Sequence, residues 1–312
     1  MKAERTARHF TGMCDLSSEG LEAVLERAVA MKAEHRAGRS RPLLAGRTLA
    51  MIFQKPSLRT RVSFESGMTQ LGGHAIYLAP SDVSIGQRET TEDIARVLSR
   101  MVDAITARTF GHDIVTDLAA HATVPVVNAL SDHEHPCQVL ADLQTVREQR
   151  GTLAGRKLAY VGDGNNVCHS LLLGCALAGM SVSVATPQGY EPKPDVVRRA
   201  AEIAARFNGR VEVVRDPFEA VRRADAVYTD VWASMGQEAE AEKRKRVFPP
   251  YQVNTRLIAA AGGDALILHC LPAHYGDEIE FAVSRTPQSV LFDQAENRLH
   301  AQKALLCTLL NV

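Results

Sequence analysis

The stretch Leu49-Ala-Met-Ile-Phe-Gln-Lys-Pro-Ser-Leu-Arg-Thr-Arg61 decides the fold class. Its first five residues form an apolar run that is typical of a buried strand. A segment of helical period follows, with Phe64 and Met68 on one face, and it closes at Gly72-Gly73. Ser57 therefore lies at a strand-to-helix turn, which is the repeating unit of α/β folds.

The same alternation of short apolar runs and helical segments continues along the chain. The predicted strands are Leu49–Phe53, Ala75–Leu78, Ala104–Ala107, Pro125–Asn128, Lys157–Val161, Ser181–Thr186, Val211–Val214, Ala226–Thr229 and Ala265–His269. Between them, Pro136 is placed to open a helix. This order predicts an α/β protein with doubly wound domains, each a parallel sheet flanked by helices.

Length and composition limit the function classes. The chain has 312 residues, which suits two domains of about 150 residues each. The charged segment Arg147 to Arg156, with Gly151 and Gly155, is the best candidate for the linker. Lys plus Arg and Asp plus Glu number 36 each, so the zero net charge argues against nucleic acid as the main partner.

Compartment signals point to the cytosol. No apolar run approaches the roughly 18 residues of a membrane span, and the charged segment Met1 to Phe10 lacks the apolar region of a secretory signal. The six cysteines are scattered without CxxC spacing. They are interpreted as reduced thiols of a cytosolic protein, not as a disulfide framework or a zinc site.

Groups that bind anions cluster at the first strand-to-helix turn. Ser57 and Thr60 supply hydroxyl groups, and Arg59 and Arg61 add guanidinium groups within the same five residues. A helix start favours an anion through its backbone N–H groups and its dipole. The pattern indicates a phosphate site, although an ordinary capped helix with solvated arginines gives the same sequence.

A second polar segment, His133-Glu-His-Pro-Cys-Gln138, follows the predicted strand Pro125–Asn128. Open α/β sheets bind ligands beyond the carboxyl ends of their strands. His135 is placed to donate to a carbonyl oxygen, and Gln138 to hold an amide. The alternatives are a histidine satisfied within its own turn, and a metal site that no typical ligand spacing supports strongly.

The segment Val161-Gly-Asp-Gly-Asn-Asn166 is a weak match to the dinucleotide fingerprint, because the third glycine is replaced by Val167. Two asparagines suit a polar zwitterion better than a pyrophosphate. The alternative is a plain Gly-Asn turn.

Two further strand ends carry groups suited to an ammonium ion. Asp230 opens Asp230-Val-Trp-Ala-Ser-Met-Gly236, and Cys270 lies in His269-Cys-Leu-Pro272. A packed small apolar residue is the alternative for Cys270. The charged segment from Gly236 to Pro250 is predicted to be a mobile lid or a solvated loop. The polar stretch from Phe292 to His300, taken alone, predicts a solvated helix.

Together and in this order, the motifs resemble the aspartate/ornithine carbamoyltransferase family from about Phe53 to Lys303. Ser57-Leu-Arg-Thr-Arg61 is similar to the family's phosphate segment Ser-Thr-Arg-Thr-Arg. The swinging loop and carbamoyl-phosphate loop of the family resemble Ser84-Ile-Gly-Gln-Arg-Glu-Thr90 and His135-Pro-Cys-Gln138. The ornithine branch of the family is matched by Asp230 with Ser234-Met-Gly236, by His269-Cys-Leu-Pro272 and by Phe292-Asp-Gln-Ala-Glu-Asn-Arg298.

The resemblance implies transfer of the carbamoyl group of carbamoyl phosphate to the δ-amino group of L-ornithine, giving citrulline and phosphate. The expected setting is arginine biosynthesis in the cytoplasm, with arginine breakdown as the alternative direction. The resemblance also implies a homotrimer with sites at subunit interfaces and no metal or cofactor. Residues 1–148 would bind carbamoyl phosphate and residues 149–292 ornithine, and a C-terminal helix, residues 293–312, would pack back on the first domain.

The resemblance also assigns site residues. The catalytic residues that it implies are Arg108, His135, Asp230 and Cys270. Carbamoyl phosphate would be bound by Ser57, Leu58, Arg59, Thr60, Ser84, Arg108, His135, Pro136, Cys137, Gln138, Cys270, Leu271 and Arg298. Ornithine would be bound by Asn166, Asp230, Ser234 and Met235.

Two positions depart from the family pattern. Leu58 replaces the usual threonine, which removes one phosphate-contacting hydroxyl but leaves the backbone N–H, so weaker phosphate affinity is expected. Ser84 stands where some relatives carry a glutamine that reaches the neighbouring subunit's site. Ser84 is shorter, and Arg88 is the alternative group for that contact.

Other functions predict different residues. A putrescine carbamoyltransferase would not need Asn166 and Ser234-Met235, and N-acetylornithine has no α-ammonium for Asp230. A nicotinamide-dependent dehydrogenase would need the third glycine and an acidic residue at the end of the strand Ser181–Thr186. A non-enzymatic scaffold would have lost one of the implied catalytic groups, and all are present.

Overall fold

The structure, a computed structural model, describes residues 8–86, 88–233 and 240–312. The chain divides into two compact units. The first consists of the chain up to Gln144 together with Glu296–Val312, and the second is Thr145–Ala295. These divisions lie inside two helices, whereas the sequence places them at residues 148 and 293.

The first unit contains a parallel sheet with the strand order β2-β1-β3-β4. Its strands are β1 (Thr48–Phe53), β2 (His74–Leu78), β3 (Ala104–Arg108) and β4 (Val126–Leu130). Its helices are α1 (Ser18–Arg36), α2 (Leu58–Gln70), α3 (Pro80–Val83), α4 (Thr91–Leu98), α5 (His112–His121) and the first part of α6 (Pro136–Arg150). Buried Ile52 and Ile105 of the sheet pack with Ile94 of α4 and Leu118 of α5 in one apolar core.

The second unit contains a parallel sheet with the order β7-β6-β5-β8-β9. Its strands are β5 (Lys157–Val161), β6 (Ser181–Ala185), β7 (Val211–Val214), β8 (Ala226–Thr229) and β9 (Leu266–His269). The helices α7 (Asn166–Leu177), α8 (Pro194–Ala205), α9 (Pro217–Val221), α10 (Ala241–Val247) and α11 (Thr255–Ala261) accompany them. Val161, Val227 and Ile267 of the sheet share a core with Phe248 and Leu257.

Each sheet has a point at which the strand order reverses. In the first unit the chain continues from β1 to β2 on one side, and from β3 to β4 on the other. In the second unit the reversal lies between β5 and β8. Open α/β sheets bind ligands beyond the carboxyl ends of the strands at such points. The segments that follow β1, β3, β5 and β8 are therefore where the fold places a binding site.

The predicted fold class is confirmed. All nine predicted strands are present within the described residues. Most of their ends match to the residue, and all but one of the others differ by one residue. The largest difference is at Pro125–Asn128, where β4 instead runs from Val126 to Leu130. Long apolar runs made these strands easy to predict, because a parallel strand is buried on both faces.

The last helix, α12 (Leu291–Leu309), differs from the prediction of a solvated helix. Its later part belongs to the first unit, as expected for a C-terminal helix that packs back on that domain. Asn297 is fully buried and Lys303 is 2% exposed. Both have polar partners, since Lys32 Nζ donates to Asn297 Oδ1 at 2.7 Å and Lys303 Nζ donates to Gln70 Oε1 at 2.9 Å. A polar sequence can therefore be buried when its polar groups are paired.

Burial of the same helix gives a pH-dependent stability. Burial and, next, the charge of Lys303 lower the pKa of His300 from 6.5 to about 4, against an opposing effect of Glu296. Because the unfolded chain takes up this proton at a higher pH than the folded chain, the free energy of unfolding decreases as the pH falls from 6.5 to about 4. We expect protonation of His300 to lower the free energy of unfolding by no more than about 3 kcal/mol over that range.

The measurement is the melting temperature of His300→Gln and of the unsubstituted protein from pH 7.5 to pH 4. The variant should show the shallower decline. His35→Gln is the matched control, because the His35 ring lies 5.9 Å from that of His300 but is only partly buried. Equal slopes for His300→Gln and the unsubstituted protein would contradict the assignment.

The segment predicted to be a lid or a solvated loop is partly helical. Residues 236–239 lie outside the described part, but α10 follows at Ala241–Val247 and a 3-10 turn at Pro249–Tyr251. Arg244 is buried and pairs with Asp163, with 2.8 Å between Nη1 and Oδ2. The solvated-loop prediction is therefore wrong for this part.

Within the described residues, the structure holds no helix both long and apolar enough to cross a membrane.

Candidate active site

A candidate anion site lies at the strand-order reversal of the first unit. Ser57 caps α2, since its Oγ accepts from the backbone N–H of Thr60 at 3.3 Å and donates to Thr60 Oγ1 at 3.1 Å. The side chain of Leu58, the first residue of α2, is 75% exposed. Leu58 therefore contributes its backbone, and not its side chain, to the helix start. The N–H groups of a first helical turn lack intrahelical acceptors, which makes this end suitable for an anion.

Of the two guanidinium groups predicted there, Arg61 is engaged elsewhere. Its Nε pairs with Glu65 Oε1 at 2.9 Å, and the guanidinium carbon lies 4.0 Å from the centroid of the Tyr77 ring. Arg59 is partly buried. Arg61 therefore has partners other than a phosphate in this structure, and the two-arginine phosphate site stays a prediction.

Arg298 joins three helices of the first unit in a buried polar network. Its Nη1 donates to Gln138 Oε1 of α6 at 2.8 Å, and its Nη2 to Thr60 Oγ1 of α2 at 3.4 Å. Gln138 Nε2 in turn donates to Asp142 Oδ1 at 2.8 Å. Arg298, Gln138 and Thr60 are each at most 2% exposed. The planar fork of a guanidinium suits such a two-partner arrangement.

His135 lies in strongly positive surroundings and is 5% exposed. Burial first, and then the charges of Arg298, Arg108, Lys55 and Arg59, lower the pKa of His135 well below 6.5. The imidazole is therefore neutral near pH 7 and offers one N–H donor. The same charges favour a bound anion.

Lys55 is a member of this cluster that the sequence analysis missed as a site residue. It is 7% exposed, and its Nζ lies 4.9 Å from the centroid of the Phe110 ring. Its position between the end of β1 and the cap Ser57 is the signal that would have found it. A lysine at that turn lies between two elements that the anion site already uses.

The remaining residues predicted for the first unit have varied environments. Pro136 is the first residue of α6, as predicted. Burial raises the pKa of the Cys137 thiol to about 12, and Cys137 Sγ donates to the Asn128 carbonyl oxygen at 3.3 Å, so its side chain is occupied in the core. Ser84 is partly buried and lines a cavity of about 490 Å³ with Gln54 and Phe110.

Asp230 is the centre of a second polar cluster, at the strand-order reversal of the second unit. Cys270 Sγ donates to Asp230 Oδ1 at 2.9 Å. Asn165 Nδ2 donates to Asp230 Oδ2 at 2.7 Å. The carboxylate is 5% exposed, whereas Cys270 is partly exposed. The alternative that Cys270 is a packed apolar residue is therefore wrong, because its sulfur faces a carboxylate.

The loop that carries Cys270 is held by a buried pair that the sequence analysis did not find. His269 Nδ1 accepts the backbone N–H of Leu271 at 2.9 Å, so the ring proton lies on Nε2. That Nε2 donates to Glu278 Oε1 at 3.0 Å, and both side chains are fully buried. The pairing fixes the ring of His269, and through it the backbone next to Cys270.

Asp230, His269 and Cys270 place three potential metal ligands within 4.8 Å of one another. Both nitrogens of His269 already have protein partners, Leu271 and Glu278. A metal ion would have to displace one of them. The arrangement therefore fits a thiol–carboxylate pair better than a metal site.

The glycines after β5 are explained by the protein chain itself. Gly162 has a φ of +145°, a backbone conformation that other residues rarely adopt. A Cβ at Gly164 would lie 2.1 Å from the backbone nitrogen of Pro192. In a dinucleotide site the second glycine admits a pyrophosphate, but here it admits another segment of the same chain. The weak fingerprint therefore does not need a nucleotide.

Of the residues predicted to bind the second ligand, Asn166 is the first residue of α7 and is partly exposed. Asp230 directly follows β8, on the opposite side of the strand-order reversal from β5. Ser234 and Met235 lie outside the described residues. The structure therefore describes two of the four predicted residues.

The two units define an α/β protein with two different binding chemistries. The first offers a helix start and a cluster of positive groups to an anion. The second offers a buried carboxylate and a thiol to an ammonium group. Among enzymes, this combination is suited to joining a phosphate-bearing donor and an amine acceptor.

Comparisons with known proteins identify the family. Residues 8–148 match the carbamoyl-P binding domain of aspartate/ornithine carbamoyltransferase, and residues 154–309 match its Asp/Orn binding domain. The chain belongs to the aspartate/ornithine carbamoyltransferase family.

The relatives that match the chain over nearly its whole length are named ornithine carbamoyltransferases. The chain is 54% identical to the ornithine carbamoyltransferase of Anoxybacillus flavithermus, over 97% of this chain and 96% of the relative. It is 54% identical to the anabolic ornithine carbamoyltransferase of Pyrococcus furiosus, over 98% and 97% of the two chains. The solved structure of ornithine carbamoyltransferase from Pyrococcus furiosus matches with a TM-score of 0.94, at 53% identity and 97% and 96% coverage.

Proposed function

We propose that this chain transfers the carbamoyl group of carbamoyl phosphate to the δ-amino group of L-ornithine, yielding L-citrulline and phosphate. The observation that carries this proposal is its likeness, over nearly its whole length, to relatives named for that activity. The cluster around Asp230 supports it, because a buried carboxylate next to a thiol suits an ammonium-bearing substrate.

Carbamoyl phosphate belongs on the first unit in this proposal. Ser57, the backbone of Leu58, Arg59, Thr60 and Arg108 bind the phosphate group. The neutral N–H of His135, with Thr60 and Arg108, faces the carbonyl oxygen, on which negative charge develops as the amine attacks. Gln138, Arg298 and the backbone of Cys270 and Leu271 orient the carbamoyl group. Pro136, Cys137 and Ser84 complete the proposed set, Cys137 through its backbone.

Ornithine belongs on the second unit, with its α-amino and α-carboxyl groups held by Asn166, Asp230, Ser234 and Met235. Its δ-ammonium, with a pKa of about 10.4 like that of lysine, must lose a proton before it can attack. Asp230 and Cys270 draw the ammonium group in, and the Asp230 carboxylate, which is the acceptor in this pair, takes that proton. The new bond joins the δ-nitrogen to the carbonyl carbon, and the bond from that carbon to the phosphate oxygen breaks. The departing phosphate takes the second proton that the δ-nitrogen loses.

The biological setting follows from the same proposal. The reaction serves arginine biosynthesis in the cytoplasm. The active protein is a homotrimer, in which the loop around Ser84 approaches the site of the neighbouring subunit. The reaction requires no metal or other cofactor.

The test is citrulline formation from carbamoyl phosphate and ornithine by the purified protein, beside parallel reactions with aspartate, putrescine and N-acetylornithine. We expect turnover with ornithine at least about 100-fold above that with each other amine, since buried polar groups that lack their partners strongly disfavour an analogue. Preferential turnover of another amine would leave the carbamoyl-phosphate site standing but contradict the ornithine site. No turnover in any reaction would contradict the proposed activity.

A further inference from the structure

We infer that Asn165 is a positioning residue whose side-chain amide fixes the orientation of the Asp230 carboxylate for the amine substrate. The inference rests on the proposed function and deepens it. Asn165 is not among the residues proposed to touch either substrate. Its two side-chain atoms have different partners, and those partners define its role.

The oxygen of the Asn165 amide is directed at the start of α7. Asn165 Oδ1 accepts the backbone N–H groups of Val167 at 3.0 Å and Cys168 at 3.1 Å. The hydroxyl of Tyr160, a buried residue of β5, donates to the same oxygen at 3.3 Å. Three donors thus determine which end of the amide is the oxygen.

The NH₂ group must then face the opposite way, and there it meets Asp230. Asn165 Nδ2 donates to Asp230 Oδ2 at 2.7 Å, a short bond as expected for a donor to a carboxylate. The other oxygen of Asp230 accepts from Cys270 Sγ at 2.9 Å and from the backbone N–H of Val231 at 2.8 Å. Both oxygens are therefore held, which fixes the plane of the carboxylate.

Helix capping alone does not account for an asparagine at this position. Aspartate caps a helix about as well as asparagine, and serine does nearly as well. An aspartate would cap α7, but it would place a second carboxylate 2.7 Å from Asp230, where asparagine places a donor. Two carboxylates at that distance cannot both remain ionised without a large free-energy cost. The NH₂ group of the amide is thus needed for Asp230, whereas the helix cap requires only the oxygen.

The consequence concerns the amine substrate. A carboxylate held in advance can meet an ammonium group without reorganisation of its own. Without the Asn165 donor, the carboxylate can rotate away from the orientation that Cys270 and the substrate share. The effect should therefore appear in the parameters for ornithine and not in the binding of carbamoyl phosphate, whose proposed site is built mainly on the other unit.

The experiment compares Asn165→Asp, Asn165→Ser and Asn165→Ala with the unsubstituted protein, measuring the melting temperature, kcat and the KM for each substrate. We expect Asn165→Asp to lower kcat/KM for ornithine by about 100-fold, since a misplacement of about 1 Å has that effect. The second carboxylate should also lower its melting temperature, whereas its KM for carbamoyl phosphate and the melting temperature of Asn165→Ser should stay near those of the unsubstituted protein. Asn165→Ser, which keeps a cap but loses the donor, should show a smaller loss of the same kind.

Asn254→Asp is the matched control. Asn254 caps α11 by accepting the N–H of Leu257 at 3.0 Å, so the same substitution is made at a helix cap of the same unit. Its kinetics should be unchanged. A purely structural role predicts the opposite pattern, with Asn165→Asp harmless and Asn165→Ala losing both melting temperature and activity together. An active unsubstituted protein with that pattern overturns this inference alone, whereas an unsubstituted protein that forms no citrulline overturns the proposed function with it.

Discussion

Asp230→Asn is expected to lower kcat/KM for ornithine by about 10³-fold, the largest effect of any single substitution considered. The carboxylate is 5% exposed and accepts from Asn165 Nδ2 and from Cys270 Sγ. An asparagine would turn an NH₂ group toward one of these donors and would remove the charge that pairs with the substrate ammonium. Truncating one member of a desolvated charge pair costs about 2–5 kcal/mol, and each 1.4 kcal/mol is about tenfold.

Steady-state kinetics with each substrate varied in turn measure this effect. The loss should fall on ornithine, while the KM for carbamoyl phosphate changes little. Asp225→Asn is the matched control. Asp225 pairs with Arg156 Nη1 at 2.8 Å and accepts the N–H of Lys157 at 2.8 Å, so its substitution should lower the melting temperature and leave the KM for ornithine intact. Unaltered ornithine kinetics in Asp230→Asn would remove Asp230 from the proposed mechanism.

The sheets could be predicted from the sequence because their strands are apolar. The strands β1, β5 and β8 consist almost wholly of buried residues, which follows from the burial of both faces of a parallel sheet. The order of the strands within each sheet could not be predicted in the same way. It depends on pairings between segments far apart in the chain, which no local pattern specifies.

The partners of buried polar side chains could not be predicted from the local sequence pattern. The helix α12 was misjudged because a helical pattern shows which residues are polar, but not whether a partner such as Lys32 or Gln70 meets them. Glu278 was missed for the same reason. Nothing between His269 and Glu278 in the sequence indicates that the chain returns to place the two side chains 3.0 Å apart.

The candidate site was predicted partly by pattern and partly by family resemblance. Ser57 could be placed at a helix start from its position after an apolar run. Gln138 and Arg298 are 160 residues apart, and only the resemblance brought them together before the structure placed them 2.8 Å apart. Neither the sequence pattern nor the family resemblance predicted the hydrogen bond from Asn165 to Asp230. A helix cap already accounts for the asparagine, and Asp230 lies 65 residues away in the chain.

The second large effect is expected for Arg298→Lys, which should lower kcat by about 100-fold, the effect of a misplacement of about 1 Å. The substitution keeps the positive charge, so it tests the shape of the group. The guanidinium reaches Gln138 and Thr60 at the same time, from two different nitrogens. A lysine ammonium is a single point and can occupy one of these positions only. Gln138 and Thr60 then lose their common partner, and the carbamoyl group loses its orientation.

Lys303→Met separates this effect from instability, because Lys303 is a second buried cation of α12 with a polar partner in the same unit. We expect Lys303→Met to lower the melting temperature with little change in kcat, and Arg298→Lys to show the reverse balance. If the two variants lost activity in proportion to their melting temperatures, Arg298 would be a structural residue of the helix. If only Arg298→Lys lost turnover, the planar fork, and not the charge alone, would be what the reaction requires.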